Sequence, residues 1–284
     1  YDFSALLDKM EAQAKNLEKL ETQVGILTQQ LADQQCKVTA DTTTITGLSG
    51  SGKRQNGVLA GNGKIYGIPL NSKSVLIVDP TTNVADTTTI TGLSGSAKWM
   101  GGVLAGNDKI YGIPLFSTSV LFIDPTTNVT DTTTITGLSG SSKWVGGVLA
   151  GNGKIYSIPH FSASVLIIDP TTNTADATTI TGLSGDAKWV GGVLAGNSKI
   201  YGIPHKSASV LIIDPATNTA DTTTITGLSE IDKWNGGVLA GNGMIYGIPR
   251  DSTSVLIIDP TTNTVDTTAI SGLIGDTKWR GGVL

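Results

Sequence analysis

Apolar side chains recur along the first thirty-eight positions at steps of three and four: Phe3, Leu6, Met10, Leu17, Leu20, Val24, Leu27, Leu31 and Val38, with Gln13 and Gln34 in the two places where the series would otherwise break. This is a heptad register. Phe3, Met10, Leu17, Val24, Leu31 and Val38 fall at a, and Leu6, Gln13, Leu20, Leu27 and Gln34 at d, the pattern by which helices associate with one another. The spacing predicts an N-terminal α-helical coiled coil over residues 1–38, with Leu6, Met10, Leu17, Leu20, Val24, Leu27 and Leu31 as its oligomerisation seam. The alternative is one amphipathic helix docked on its own domain. Leu7 and Ala14 at e widen the stripe and suit more than two strands. Cys36, at f, faces outward as a spectator thiol or, in an oxidising compartment, as half of an interchain disulfide.

From residue 39 the period changes. A segment opening DTTTITGLSG begins at Asp41 and Asp86 and returns with small changes at Asp131, Asp176, Asp221 and Asp266, every 45 residues. Each unit contains four short strand-like runs. In the first unit these are Gly57–Ala60, Lys64–Ile68, the continuously apolar Val75–Val78, and a Thr-rich run equivalent to Thr42–Thr46. Asn62-Gly63 signals a two-residue type I′ hairpin, and Asp79-Pro80-Thr81-Thr82-Asn83 a turn between the third and fourth runs. Four short strands per unit of this length, repeated, predict the blades of a β-propeller over residues 39–284. One Trp per unit (Trp99, Trp144, Trp189, Trp234, Trp279) is expected to pack between blades.

The string KW-x-GGVLA-GN-x-KIYGIP, followed by SVLIIDP-TTNT-x-DTTTITGLSG, resembles the kelch-like and WD-like propeller repeats. It is more similar to a repeat family of large surface or secreted proteins of algae and other protists. The resemblance covers residues 41–284. It lacks the Gly-His and Trp-Asp pairs of true WD repeats and the kelch Gly-Gly doublet after a strand, so no binding residue carries over from either. What it implies is a propeller that binds or builds.

Counting strands leaves an outer strand alone at Thr42–Leu48 and an inner strand alone at Gly281–Leu284, around five complete sets. Six blades are favoured, with five or seven as alternatives; the two missing strands would come from further sequence or from another chain. The sequence starts at Tyr1 rather than Met, so it is expected to be processed or to belong to something longer. In the first unit Lys53-Arg54-Gln55-Asn56 replaces Lys-Trp-x-Gly. Arg54 is therefore expected to face the coil, another chain or further sequence.

Composition removes several functions. With net charge −4 over 284 residues there is no sequence-wide attraction to nucleic acid or anionic membrane, and no run of about 18 apolar residues spans a bilayer. One Cys excludes an intrachain disulfide framework. No nucleophile elbow occurs with His and Asp partners. The only histidines, His160 and His205, lack further ligands for a metal. No cofactor and no enzymatic activity are expected.

Differences between the near-identical units mark positions that are free to vary. They gather in the loop between second and third strands (Leu70-Asn71, Leu115-Phe116, His160-Phe161, His205-Lys206, Arg250-Asp251), just after the Trp (Met100, Val145, Val190, Asn235, Arg280), and just before the Lys. In a propeller these loops share one face. The candidate binding face is therefore Trp99, Trp144, Trp189, Trp234, Phe116, His160, Phe161, His205, Lys206, Arg250 and Asp251, where Lys-Trp pairs offer stacking and hydrogen bonds to a sugar. Asn128-Val129-Thr130 is an N-glycosylation acceptor, and the Thr-rich runs are candidate O-glycan sites.

These readings add up to an extracellular or cell-surface homo-oligomer, a structural subunit of a fibre or matrix. The alternative is a lectin-like propeller made multivalent by its coil, binding carbohydrate or protein.

Overall fold

The computed structural model describes residues 3–35, 43–46, 48 and 51–283. The chain forms two compact units, residues 1–47 and 48–284. In the first, α1 (Phe3–Gln35) is the one helix among the described residues. A coiled coil needs a second helix and the described residues hold only one, so the expected coiled coil is not part of the described fold. Phe3, Met10, Leu17, Leu20, Val24 and Leu27 are all exposed along α1. The side chains of Leu6 and Leu31, with Cys36 and Val38, lie outside the described residues.

The second unit contains five antiparallel four-stranded sheets, each with its strands in chain order. In blade one these are Arg54–Leu59, Ile65–Pro69, Leu76–Asp79 and Val84–Asp86. Blades two to five repeat this at residues 99–131, 144–176, 189–221 and 234–266. The inner strands of successive blades pack on one another in chain order, as in a propeller. Each hydrophobic core lies between two blades. Val58, Tyr66, Ile68, Val75 and Ile77 of blade one enclose Trp99, Ile110, Leu121 and Ile123 of blade two, all buried, and the three later interfaces repeat the arrangement. A blade is apolar on both faces and cannot bury either alone, so neighbouring repeats stabilise each other.

Near the axis the glycines are sterically required. Gly101 sits at φ 91°, and a Cβ on it would stand 2.8 Å from the Gly146 Cα of the next inner strand. Only residues without a side chain let these backbones approach so closely.

Four sequence-based expectations are corrected. Among the described residues the blade count is five, not six. Trp279–Val283 does follow blade five as an inner segment would, with the Gly281 amide donating to the Asn235 carbonyl at 3.1 Å, but among the described residues no strand pairs with it.

The outer strand is Val84–Asp86 and its equivalents rather than the Thr-rich run. Asp86 Oδ1 accepts from the Thr88 amide at 2.7 Å, from the Thr88 hydroxyl at 2.8 Å and from the Thr89 amide at 3.1 Å. Those local bonds bend the chain away from the ladder despite the β propensity of threonine.

The first hairpin is a three-residue loop, not type I′. Gly63 donates to the Ala60 carbonyl at 3.0 Å, and of Gly61, Asn62 and Gly63 only Gly63 has positive φ.

Arg54 turns onto its own blade. Its Nη2 donates to the Ser74 hydroxyl at 3.0 Å and lies 3.4 Å from the Ser74 carbonyl oxygen. That carbonyl is the counterpart of the Ser119 carbonyl to which Trp99 Nε1 donates at 2.8 Å. A guanidinium thus replaces the indole as donor at this position.

Candidate functional site

On one face of the propeller unit lie the hairpins between first and second strands and the turns between third and fourth. Asn62 Nδ2 donates to Tyr66 OH at 3.1 Å and to the Pro125 carbonyl of the next blade at 2.9 Å. Tyr66 OH donates to Asn128 Oδ1 at 3.0 Å. Tyr111–Asn173, Tyr156–Asn218 and Tyr201–Asn263 repeat the bond in the following interfaces. Each lock joins the hairpin of one blade to the turn of the next, so its residues are held by structure. Asn128, the sequence-predicted glycosylation acceptor, is half-buried with φ 56° and its side-chain oxygen in this lock.

The opposite side of the repeat is clamped differently. Lys98 Nζ donates to the carbonyls of Leu70 (3.1 Å), Ser72 (2.8 Å) and Gly95 (3.0 Å), and sits 5.7 Å from the Trp99 ring centroid. Lys143, Lys188 and Lys233 do the same in their blades. Burial pushes the Lys143 and Lys233 ammonium groups down to about 8. Trp99, Trp144, Trp189 and Trp234 are only 2–3 % exposed, and each Nε1 donates to a serine carbonyl of its own blade. These four Lys-Trp pairs are therefore interior groups, their tryptophans packed between blades as expected rather than open to a sugar, while Trp279 is exposed. They fix the loops that carry the variable residues.

Those variable residues form concentric sets. The position after the Trp supplies Gln55, Met100, Val145, Val190, Asn235 and Arg280 to a cavity of ≈ 350 Å³ on the axis. A second cavity of ≈ 540 Å³ lies along the glycines of the inner strands and shares Asn56, Gly146, Gly191, Gly236, Arg280 and Gly281 with the first, so both belong to one axial channel. Leu115, Val145 and Val190 are buried against one another, with Leu70, Ala97 and Met100 packed beside them. Farther along the same loops, Phe116 and Phe161 are 46 % and 43 % exposed.

In blades three to five the equivalent positions form a polar cluster. His205 Nε2 is 3.1 Å from Asp232 Oδ1, Lys206 Nζ 3.8 Å from the same oxygen, and Arg250 Nη1 3.6 Å from Asp232 Oδ2 and 3.5 Å from Asp251 Oδ2. The rings of His160 and His205 are 6.1 Å apart. His160 Nδ1 is buried without a hydrogen-bond partner. Burial, and secondarily the neighbouring His205, hold the His160 imidazole down at about 4, so it is neutral at physiological pH. Among the described residues no group of three or more His, Cys, Asp and Glu side chains is arranged to hold a metal, and no helix is long and apolar enough to cross a membrane.

The structure thus brings His160, Phe161, His205, Lys206, Arg250 and Asp251 together and removes the tryptophans to the core. The channel-lining set, with Arg280 as its exposed cation, was absent from the sequence-predicted site. Its signal was present, since the one variable residue between Lys-Trp and Gly-Gly changes from unit to unit.

No protein-family model matches the chain, and no curated relative matches it. Solved structures do. A catalytically inactive virginiamycin B lyase from Staphylococcus aureus with quinupristin is 8 % identical with TM-score 0.61, the match covering 78 % of this chain and 71 % of that one. An auxiliary nutrient binding protein from Bacteroides ovatus is 15 % identical with TM-score 0.55, over 76 % of this chain and 57 % of that one. Hydrazine synthase from Kuenenia stuttgartiensis is 13 % identical with TM-score 0.59, over 81 % and 69 %.

At these identities the likeness establishes a propeller fold built of repeated four-stranded blades and nothing finer; no kelch or WD kinship follows. It also corrects the expectation that the chain is not an enzyme. The fold is shared with a lyase, so the lack of a catalytic set legible in the sequence is no ground for excluding catalysis.

Proposed function

We propose that the chain is a binding propeller whose ligand sits on the face formed by the variable loops, at the mouth of the axial channel. One observation carries this. Among the few places where the units differ, one is occupied by Gln55, Met100, Val145, Val190, Asn235 and Arg280, and the fold gathers these around one cavity. Concave sites with a few convergent polar groups are where small ligands bind, and a nutrient binding protein shares the fold. The candidate ligand-facing residues are Phe116, His160, Phe161, His205, Lys206, Arg250 and Asp251 around the channel set. Carbohydrate or protein remains the ligand class of the sequence-based reading.

Presentation in several copies fits the exposed stripe of α1, whose a and d spacing is the seam by which copies of one helix pair. Multivalency would then raise avidity without new contacts. An extracellular location and a glycan on Asn128 belong to the same proposal. No observation favours a fibre or matrix subunit over a discrete assembly.

The test compares the chain with a variant in which Asn235 and Arg280 are replaced by Val, on arrays of glycans, peptides and small metabolites. Ligands captured by the parent and lost by the variant support the reading. Capture unaffected by the mouth residues refutes it.

A further inference from the structure

The polarity of the mouth is divided, and the division names a ligand chemistry. Around the channel, Met100, Val145 and Val190 follow one another on blades two, three and four. Asn235, Arg280 and then Gln55 and Asn56 complete the lining. The next set of variable positions is apolar at Leu70 and Leu115 in blades one and two and polar at His160, His205 and Arg250 in blades three to five. The set beyond it has Phe116 and Phe161 in blades two and three, with Lys206, Asp251 and Asn71 as its polar members. All three positions are apolar in blade two and polar in blade five, with the boundary falling at a different blade in each.

The apolar arc is a fixed surface, because Leu115, Val145 and Val190 are buried against one another. The polar arc offers amide donors and one exposed guanidinium. No Asp or Glu lines either part of the channel. Among the described residues Arg280 has no ion-pair partner, whereas Asp232 is shared among His205, Lys206 and Arg250. The other arginine of the lining, Arg54, is turned onto Ser74.

We propose that this mouth binds an amphiphilic monoanion, a carboxylate carried on an aliphatic body, with the carboxylate on Arg280 and Asn235 and the body against Met100, Val145 and Val190. The proposal rests on the binding-propeller reading and gives it a ligand class. A guanidinium matches a carboxylate through paired N–H donors. A neutral sugar would leave the cation unmatched. A dianion would find one free cation where it needs two. A purely apolar ligand would strand the amides and the guanidinium, and unpaired polar groups at a desolvated surface are costly. The ≈ 350 Å³ of the mouth is within the size range of small-ligand sites.

Calorimetric titration of the full chain with octanoate, octan-1-ol and acetate, each below any aggregation threshold, tests this. Octanoate is expected to bind once per chain. Octan-1-ol, which lacks the charge, and acetate, which lacks the tail, should each bind about tenfold or more weakly, the loss of one charge-assisted contact or a few buried methylenes. Arg280→Gln should weaken octanoate about tenfold while leaving the thermal midpoint unchanged, because Arg280 is exposed. Asn235→Asp, which sets a like charge beside the head group, should weaken octanoate and leave octan-1-ol unaffected. Equal affinity for octanoate and octan-1-ol, or octanoate binding indifferent to both substitutions, overturns the proposal. If octanoate fails to bind while array ligands are still lost on mutating the mouth, the ligand class falls and the binding face stands.

Discussion

The two faces of the propeller unit are built from one repeat and put it to opposite use. On the hairpin face Asn62, Tyr66, Pro125 and Asn128 join adjacent blades, and the same letters recur in each unit. On the loop face Lys98 and Trp99 do the joining from below, through carbonyl oxygens and a buried ring. The loops above them are thus anchored largely through their backbone, with Asn71 and Asp251 adding a bond from the next unit's Ala97 and Thr277 amides. On the hairpin face the bond to the neighbouring blade runs through the same side chains from unit to unit, whereas on the loop face the lysine and the backbone beneath carry most of it. This is why variation among the units collects at the channel mouth.

The largest test of that contrast removes a buried clamp. Trp189→Ala opens the interface between blades three and four, where the indole packs with Val148, Tyr156 and Ile158. It should lower unfolding free energy by about 3–5 kcal/mol, read from denaturant midpoints. A loss below about 1 kcal/mol would mean that the interblade core does not depend on the ring.

Tyr156→Phe probes the hairpin lock. It deletes a hydroxyl 2.6 Å from Asn218 Oδ1 and 3.0 Å from Asn152 Nδ2, and the expected cost is about 1–3 kcal/mol.

Acid should separate the loop face from the bends that follow the outer strands. His160 titrates at about 4 in the folded chain against about 6.5 unfolded. Between those values the unfolded chain binds more protons, so stability falls as pH is lowered from about 6.5 to about 4. Asp86, Asp176 and Asp221 are held at about 2, led by hydrogen bonds from Thr89, Thr179 and Thr224. Their contribution is present above about 3.9 and is lost as pH falls towards 2. His160→Phe should shrink the first window and leave the second, which urea midpoints across a pH series would show.

The smallest effect belongs to the exposed loop position. Phe161→Ser should change stability by no more than about 0.5 kcal/mol. A loss comparable to that of Tyr156→Phe would show that the loop face also carries structure and would remove the contrast.

Much of this was legible in one dimension. The heptad spacing marked α1, and the strict period marked the blades with their inner, second and third strands, because periodicity is a local property that survives folding. The Thr-rich run was misread because β propensity is weaker than the bonds Asp86 makes with Thr88 and Thr89, and those bonds are not visible in a propensity. The hairpin type was misread because Asn62 is held by the Tyr66 hydroxyl and the Pro125 carbonyl, one of them a blade away.

What the sequence alone determined is the unit: its length, its strands, its invariant letters and its few free positions. Only the tertiary structure decided what those letters do. Stacking the blades drew each lysine inward beside its tryptophan, onto the carbonyls of the preceding blade's loop, and turned Arg54 into a stand-in for an indole. It also brought six residues spaced along the whole chain to one channel mouth. The physical reason is that burial and proximity arise between repeats, at contacts some sixty residues apart such as Tyr66 to Asn128, and no single unit contains its own neighbour.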